Sequence, residues 1–491
     1  MKKSPSIVII GTGFAGLCMG IRLKQVGIDS FTLLERAEAI GGTWRDNSYP
    51  GAACDVPSHL YSFSFEPNPR WTRQFAPQAE ILDYLNHCTD TYGLRPYIRF
   101  NSSVSSARFD ESAGQWLLTL GTGEEVRADI VVSGCGGLSR PALPQLPGLE
   151  DFQGTVFHSA RWDHGHDLSD RTVAVIGTGA SAIQIVPEIA PRVRTLHLFQ
   201  RTPPWILPKD DRAIGERERK LYASLPLAQW LHRQLIYWRL ESRAPLFTRA
   251  PAILKIAELQ ARRFLEQSIP DPVLRAKLVP NYALGCKRVL LSNDFYPALN
   301  RPNVELVTEG IQRVTRDGIV SRDGRERPVD TIILATGFQA AEAAAPFPIR
   351  GRGGLALEEA WRTSAEAYLG TSVAGLPNLF FLAGPNTGLG HNSMVFMLES
   401  QVQYVLDCIQ TLQREGLDFL EVRQDVQERF NRRLHERLGH TVWNTGGCAS
   451  WYKTSDGKNT TLWPGSTLGF RWRTRRLELA DYHVRPPERA A

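Results

Sequence analysis

The stretch IVIIGTGFAGLCMGIRLKQ, residues 7–25, decides the fold. Ile7 to Ile10 form a β-branched run, the pattern of a strand buried on both faces of a parallel sheet. Gly11, Gly13 and Gly16 follow in G-x-G-x-x-G spacing, with Phe14 inside the turn. Leu17, Gly20 and Ile21 then recur at helical spacing. Gly11 permits the tight turn, Gly13 lets a pyrophosphate approach the backbone, and Gly16 lets helix and strand pack closely. The helix N-terminus then faces the phosphate charge. The next strand, FTLLE, ends in Glu35, 19 residues after Gly16, followed by Arg36. A carboxylate there takes ribose hydroxyls and repels a 2′-phosphate, so this unit suits FAD or NAD and not NADP. Lys2 and Lys3 before the apolar run resemble the start of a signal peptide, but the three glycines favour the nucleotide turn.

The pattern recurs downstream. RTVAVI, residues 171–176, leads into GTGASA, in which Gly177, Gly179 and Ala182 fill the small positions and Thr178 and Ser181 lie between them. The following strand ends in Gln200-Arg201-Thr202. Arg201 stands 19 residues after Ala182, the offset of Glu35 in the first unit. A guanidinium there pairs bidentately with a 2′-phosphate, so the second unit reads as NADPH-binding. The expected fold is therefore α/β, with two Rossmann-like dinucleotide-binding domains.

Residues 209–275 interrupt the second unit with helical patterning: Leu227, Leu231, Leu235 and Trp238, then Leu254, Ala257, Ala261 and Phe264. Trp230, Tyr237 and Trp238 are candidates to line a substrate cavity, although packing on the domain is the commoner role for any one of them. Asp330–Leu334 is a strand running into ATGF, with Thr336 and Gly337 in the turn. DIVVSGCGG, from Asp129, is the counterpart in the first unit, and SRPALPQLPG links the two units. A strand over 378–382 leads into AGPNTGLGHNS, containing Gly384 and Asn386, and a helix from about Met394 to Gln413. The N-terminus of that helix could face the anionic edge of a reduced flavin. The expected boundaries are 1–155 with 328–491 for a discontinuous FAD domain, and 156–327 for the NADPH domain.

Composition narrows the classes. The chain has 491 residues, 42% hydrophobic and 22% charged, which excludes a disordered or fibrous protein. Its net charge of +6 is too small over this length to argue for nucleic acid, and suits an anionic cofactor. Seven cysteines without a CxxC pair point to reduced thiols in a cytoplasmic chain, and away from a zinc site or a redox-active disulfide beside a flavin. No apolar run approaches the ~18 residues of a transmembrane helix, so no integral membrane anchor is expected. No metal is expected either. The oligomeric state is open.

Two further stretches carry a specific resemblance: GGTWRDNSYPGAACD, residues 41–55, and FQGTVFHSARWD, residues 152–163. With the two dinucleotide turns they resemble the single-chain, FAD- and NADPH-dependent Baeyer–Villiger monooxygenases. The linker pattern of that family, F-x-G-x-x-x-H-x-x-x-W followed by Pro or Asp, is met by Phe152, Gly154, His158, Trp162 and Asp163. The related N- and S-oxygenating flavin monooxygenases usually carry another aromatic where Trp162 stands. QRTPPW from Gln200, CKRVLLSNDFYPALNRPNVEL from Cys286 and GPNTGLGHNSMVF from Gly384 extend the match to about residues 5–475.

The resemblance implies a flavin monooxygenase that inserts one atom of O2 next to a ketone carbonyl through a C4a-peroxyflavin, giving an ester or lactone. It implies Arg288 as the active-site arginine and Asp55 as the carboxylate that pairs with it. It assigns Lys287, Arg201 and Thr202 to the 2′-phosphate, and Gly42, Thr43, Trp44, Tyr61, Val104, Thr336, Gly337, Gly384 and Asn386 to the cofactors. His158 matches a linker histidine that governs domain movement and is not a base. The segment CASWYKTSDGKNTTLWPG departs from the cyclohexanone-type members, with Trp451 in the place of their cofactor-covering tryptophan. An N- or S-oxygenating monooxygenase is the nearest alternative, disfavoured by Trp162 and the Lys287-Arg288 pair. A disulfide-type NADPH–flavin reductase lacks its cysteine pair. A non-catalytic NADP(H)-sensing protein would bind the cofactors without consuming NADPH.

Overall fold

Strand Ile7–Ile10 takes the centre of a five-stranded parallel sheet, ordered 379–381, 130–133, 7–10, 31–34 and 98–99. The computed structural model describes residues 4–339, 345–454 and 456–485; Lys2 and Lys3 lie outside them. Every residue of Ile7–Ile10 is buried because both faces of the sheet are covered. Ile7 and Ile9 pack under helix Phe14–Gln25 and helix Met394–Glu415, among Leu17, Ile21, Leu398 and Val402. Val8 and Ile10 point the other way, onto the antiparallel strands Val104–Asp110, Gln115–Leu120 and Glu125–Ala128, where they meet Phe109, Trp116 and Leu118. The β-branched run is thus selected from both sides.

The second sheet repeats this plan in the order 155–158, 331–334, 172–176, 195–199 and 304–307, again all parallel. Val173 and Val175 face helix Ala182–Ile189. Ala174 and Ile176 face a three-stranded antiparallel layer over 311–314, 318–321 and 326–328, with Val314, Ile319 and Val329. Strand Thr331–Leu334 pairs with Thr172–Ile176 on one side and Thr155–His158 on the other. The second sheet therefore runs from 155 to 334, and Thr331–Leu334, which follows the expected boundary at 327/328, pairs within it. The linker motif itself supplies the edge strand: Gly154 lies where a Cβ would stand 2.4 Å from the Asp330 carbonyl oxygen.

Between strands 195–199 and 304–307 lie helices Glu216–Ser224, Pro226–Glu241, Ala244–Thr248, Leu254–Ser268 and Pro272–Lys277. The helix expected to end at Gln413 continues to Glu415, stops at Gly416 in the left-handed region (φ 66°), and starts with the Ser393 hydroxyl accepting from the Val395 N–H at 3.2 Å.

One expectation is overturned. Cys286 and Cys448 form a disulfide across a sequence separation of 162, with Cα atoms 6.1 Å apart. Cys18, Cys54, Cys88, Cys135 and Cys408 remain free. Short-range spacing could not reveal the pair, because the two cysteines meet only in a core built from distant segments, with Tyr282, Trp443, Tyr452 and Trp463 around Cys286.

Candidate active site

The two glycine turns are built alike. At Gly11 (φ 96°) an added Cβ would stand 2.9 Å from the Gly134 carbonyl oxygen; at Gly177 (φ 114°) it would stand 2.4 Å from that of Ala335. Each turn therefore rests on the turn that follows a neighbouring strand, and only glycine permits the approach. Helix Phe14–Gln25 begins at Gly13 with no side chain capping its first N–H groups and no acid in its first turn; helix Ala182–Ile189 begins in the same state at Ser181. Both ends present free donors and positive dipole to an anion. These cradles fit the pyrophosphates of two dinucleotides.

Around the first cradle, Glu35 is 3% exposed and tightly held. Its Oε2 accepts from the Thr12 N–H (3.1 Å) and hydroxyl (2.6 Å), its Oε1 from the Ala37 N–H (3.0 Å), and Arg45 Nη1 lies 2.9 Å from Oε1. Arg36 Nη2 donates to Asp46 at 2.9 Å and to the Ser139 carbonyl at 3.2 Å. The Ser102 N–H donates to the Glu35 carbonyl at 2.8 Å, which brings Val104, two residues on, beside this corner. The GGTW loop docks on the glycine turn, since a Cβ at Gly42 would stand 3.0 Å from the Gly13 Cα. Beyond Thr43, the Trp44 indole N–H donates to the Tyr61 hydroxyl at 3.2 Å, and Phe14 meets Tyr61 edge-on at 5.1 Å. Burial pushes the Tyr61 phenol well up, so it stays neutral.

At the second cradle, the Thr178 hydroxyl donates to the Thr202 carbonyl at 3.1 Å, which ties the glycine turn to the end of the next strand. Arg201 is exposed there. Lys287 packs its ammonium over the Tyr282 ring at 4.8 Å. Burial lowers its pKa, and the positive charge of Arg201 lowers it further. Two like charges thus converge on one place, an arrangement that a doubly charged phosphate would neutralise.

The units meet at Asp55. The loop Tyr49–Asp55 of the first unit leans on helix Ala182–Ile189 of the second: the Tyr49 hydroxyl donates to Gln184 Oε1 at 2.9 Å, and Gln184 Nε2 donates to the Ala53 carbonyl at 3.0 Å. Arg288, 233 residues away in sequence, reaches this loop through two bonds to the Asp55 carboxylate, Nε to Oδ2 at 2.8 Å and Nη2 to Oδ1 at 2.7 Å. The carboxylate raises the guanidinium pKa, outweighing the opposing effect of burial. Arg288 is a permanent cation.

His158 is buried, and its Nε2 lies 3.1 Å from the Gly337 carbonyl, which can only accept. Its Nδ1 accepts from the Ala160 N–H at 3.1 Å, so the neutral Nε2–H tautomer is fixed. Burial lowers its pKa. Both ring nitrogens are thus engaged with backbone. The neighbouring Thr336 hydroxyl donates to the Ala142 carbonyl at 2.6 Å. Gly384 approaches the Gly370 carbonyl, and Asn386 Nδ2 donates to the Asn459 and Leu462 carbonyls at 2.9 and 3.2 Å, while its buried Oδ1 has no partner.

Some placements differ from the sequence reading. Trp230 and Trp238 lie on an outer surface, and only Tyr237 turns inward, stacked on Phe396 with centroids 5.0 Å apart. Trp451 is half exposed. Its neighbour Tyr452, not singled out from sequence, is 1% exposed, lies near Arg288, and has a hydroxyl with no hydrogen-bond partner. Burial pushes that phenol up to about 12. Its place in sequence beside Trp451 was the available signal; the staple of Cys448 to the residue before Lys287 appears only in the fold.

The family model described as Flavin-binding monooxygenase-like matches residues 4–215. A Baeyer-Villiger monooxygenase of Pseudomonas aeruginosa is 53% identical over 479 residues, spanning 97% of this chain and 91% of that relative. One of Streptomyces coelicolor is 49% identical, spanning 98% of this chain and 93% of the relative. Among solved structures, OTEMO in complex with FAD and NADP is similar with a TM-score of 0.88 at 28% identity, covering 98% of this chain and all of that one.

Proposed function

The chain belongs to the Baeyer–Villiger monooxygenases, and we propose that Arg288, held by Asp55, is the cation on which its oxidation of a ketone to an ester or lactone turns. FAD and NADPH are its cofactors. When bound, FAD takes hydride from NADPH and activates O2, chemistry that no side chain supplies.

The protein's share is binding, orientation and charge. The first glycine turn, Glu35 and the Trp44–Tyr61 pair hold the FAD, and the second turn with Arg201, Thr202 and Lys287 holds the NADPH. As oxygen is transferred, negative charge passes from the attacking oxygen to the ketone carbonyl oxygen. A fixed guanidinium stabilises that charge without reorganising. Asp55 engages Nε and Nη2 and so fixes the plane of the fork; Nη1 has no partner among the described residues and is the donor edge left for the reacting oxygens. His158, neutral and bonded to backbone on both nitrogens, moves no proton in this scheme.

The observation that supports this most is the bidentate bond between two residues from different units, 233 positions apart. The test is Arg288→Ala, with NADPH oxidation, hydrogen peroxide and ester measured together. FAD and NADPH should still bind, and flavin reduction should survive in part. Ester formation should fall roughly a hundredfold or more, with peroxide taking its place. Ester formed at the parent's yield per NADPH would remove Arg288 from the role.

A further inference from the structure

Helix Pro226–Glu241 buries one face and leaves an apolar one uncovered. Gln229, Arg233, Ile236, Tyr237 and Leu240 face the protein. On the outer side stand Leu227 (61% exposed), Trp230 (54%), Leu231 (51%), Leu235 (71%) and Trp238 (55%). Their spacing of three, one, four and three residues puts all five on one face of the helix. Leu221 and Leu225, from the adjoining helix Glu216–Ser224 and the turn after it, are each half exposed and extend the set. Single exposed leucines are ordinary; a full helical stripe of leucine and tryptophan marks an interaction surface.

The charge around the stripe is equally uneven. Between Glu216 and Arg263 the chain has ten Lys and Arg against four Asp and Glu, an excess of six, equal to the net charge of all 491 residues. Arg217 and Lys220 precede the stripe, and Arg239, Arg243 and Arg249 follow it, all exposed. Arg217, Arg243 and Arg249 have no ion pair among the described residues. The Arg239–Asp210 pair is long at 3.9 Å.

We propose that this stripe seats the enzyme on an anionic lipid surface, with the helix lying in the plane of the interface. An apolar face with Leu and Trp, bracketed by Arg and Lys, binds by burying side chains at the acyl boundary while the cations meet anionic headgroups. Long basic side chains can bend outward to do so. The contact is peripheral, since no helix among the described residues is long and apolar enough to cross a membrane. A second copy of the chain is the poorer occupant, because a two-fold stripe-to-stripe contact would bring the same unpaired arginines together.

The experiment is co-sedimentation of the full-length, FAD-loaded enzyme with vesicles of phosphatidylcholine alone and of phosphatidylcholine with phosphatidylglycerol. The parent should sediment with the mixed vesicles, and added salt should weaken this binding. The double variant Leu231→Gln with Leu235→Gln should lose affinity roughly tenfold or more, with turnover of a water-soluble ketone unchanged as proof of folding. Failure of the parent to sediment, or equal binding to both vesicle types, would overturn the proposal. A concentration-dependent dimer abolished by the same double variant would assign the stripe to a second copy and overturn it as well. Vesicle binding is read without catalysis, so it stands or falls apart from the role given to Arg288.

Discussion

Asp55 occupies one edge of the Arg288 guanidinium, taking Nε at 2.8 Å and Nη2 at 2.7 Å, one bond per carboxylate oxygen. The pair fixes the fork as well as its charge. Asp55→Asn keeps the shape but offers one acceptor in place of two and removes the negative charge. Arg288 stays protonated, so the loss should be one of orientation. Ester formed per NADPH should drop about tenfold, in line with a bidentate charged bond reduced to a single neutral one, and hydrogen peroxide should rise. An unchanged ratio of ester to peroxide would show that Asp55 does not orient the arginine.

Arg201 and Lys287 converge on one position, and each should contribute to the choice of NADPH over NADH. Arg201→Ala should cut that preference roughly ten- to hundredfold, as expected for a charged hydrogen bond of about 1.5–3 kcal/mol. Lys287→Ala should cut it less, because the lysine is partly spent on the Tyr282 ring. Steady-state KM values for both nucleotides check this. An Arg201→Ala enzyme that still prefers NADPH as the parent does would leave the 2′-phosphate to Lys287 alone.

Gly177→Ala tests the second cradle without touching a charge. The new Cβ would stand 2.4 Å from the Ala335 carbonyl oxygen on a backbone of φ 114°. The strain should be of order 1–3 kcal/mol. Melting temperature and NADPH affinity should fall, while FAD retention holds because its own turn lies in the other sheet. Loss of FAD with NADPH binding intact would reverse the assignment of the two units.

His59 gives a signed pH dependence. Its ring is buried, and Gln229 Nε2, from the helical insert, donates to its Nδ1 at 3.2 Å. Burial first, then the charge of His232, lowers its pKa to about 4, below the free value of 6.5. The folded state therefore favours the neutral ring. Stability is full above about pH 6.5 and is lost as pH falls from there to about 4, by at most roughly 3 kcal/mol. Thermal melts between pH 7 and 4.5 should show a steeper decline for the parent than for His59→Asn, whose amide oxygen can still accept from Gln229. Parallel curves would show that His59 does not drive the decline.

Much of this architecture was legible in sequence because it is local. The glycine turns, Glu35 and Arg201 each sit at a fixed offset from a β-branched strand, and the strand–turn–helix unit has to close within about 30 residues. The sheet to which Thr331–Leu334 belongs was not legible, because it looks like any buried strand and only its pairing places it. Trp230 and Trp238 stood as candidates for a cavity, with packing on the domain the commoner role, because helical spacing alone cannot tell an inner face from an outer one. Tyr452 and the Cys286–Cys448 bond escaped for a common reason: the segments that carry them are 162 residues apart and meet only after both sheets have formed.

That bond makes residues 286–448 a closed ring within an otherwise linear chain. Its clasp lies next to Lys287 and Arg288 on one side and three residues before Trp451 on the other. Closing a ring of this size restricts the unfolded chain by about 5 kcal/mol on the chain-entropy estimate. A single backbone cut anywhere inside the ring leaves one covalent molecule, and the fragments part only under a reductant. Arg288, the proposed cation, and the aromatic segment opposite it are thus tied by a covalent loop, independent of the side chains that pack between them.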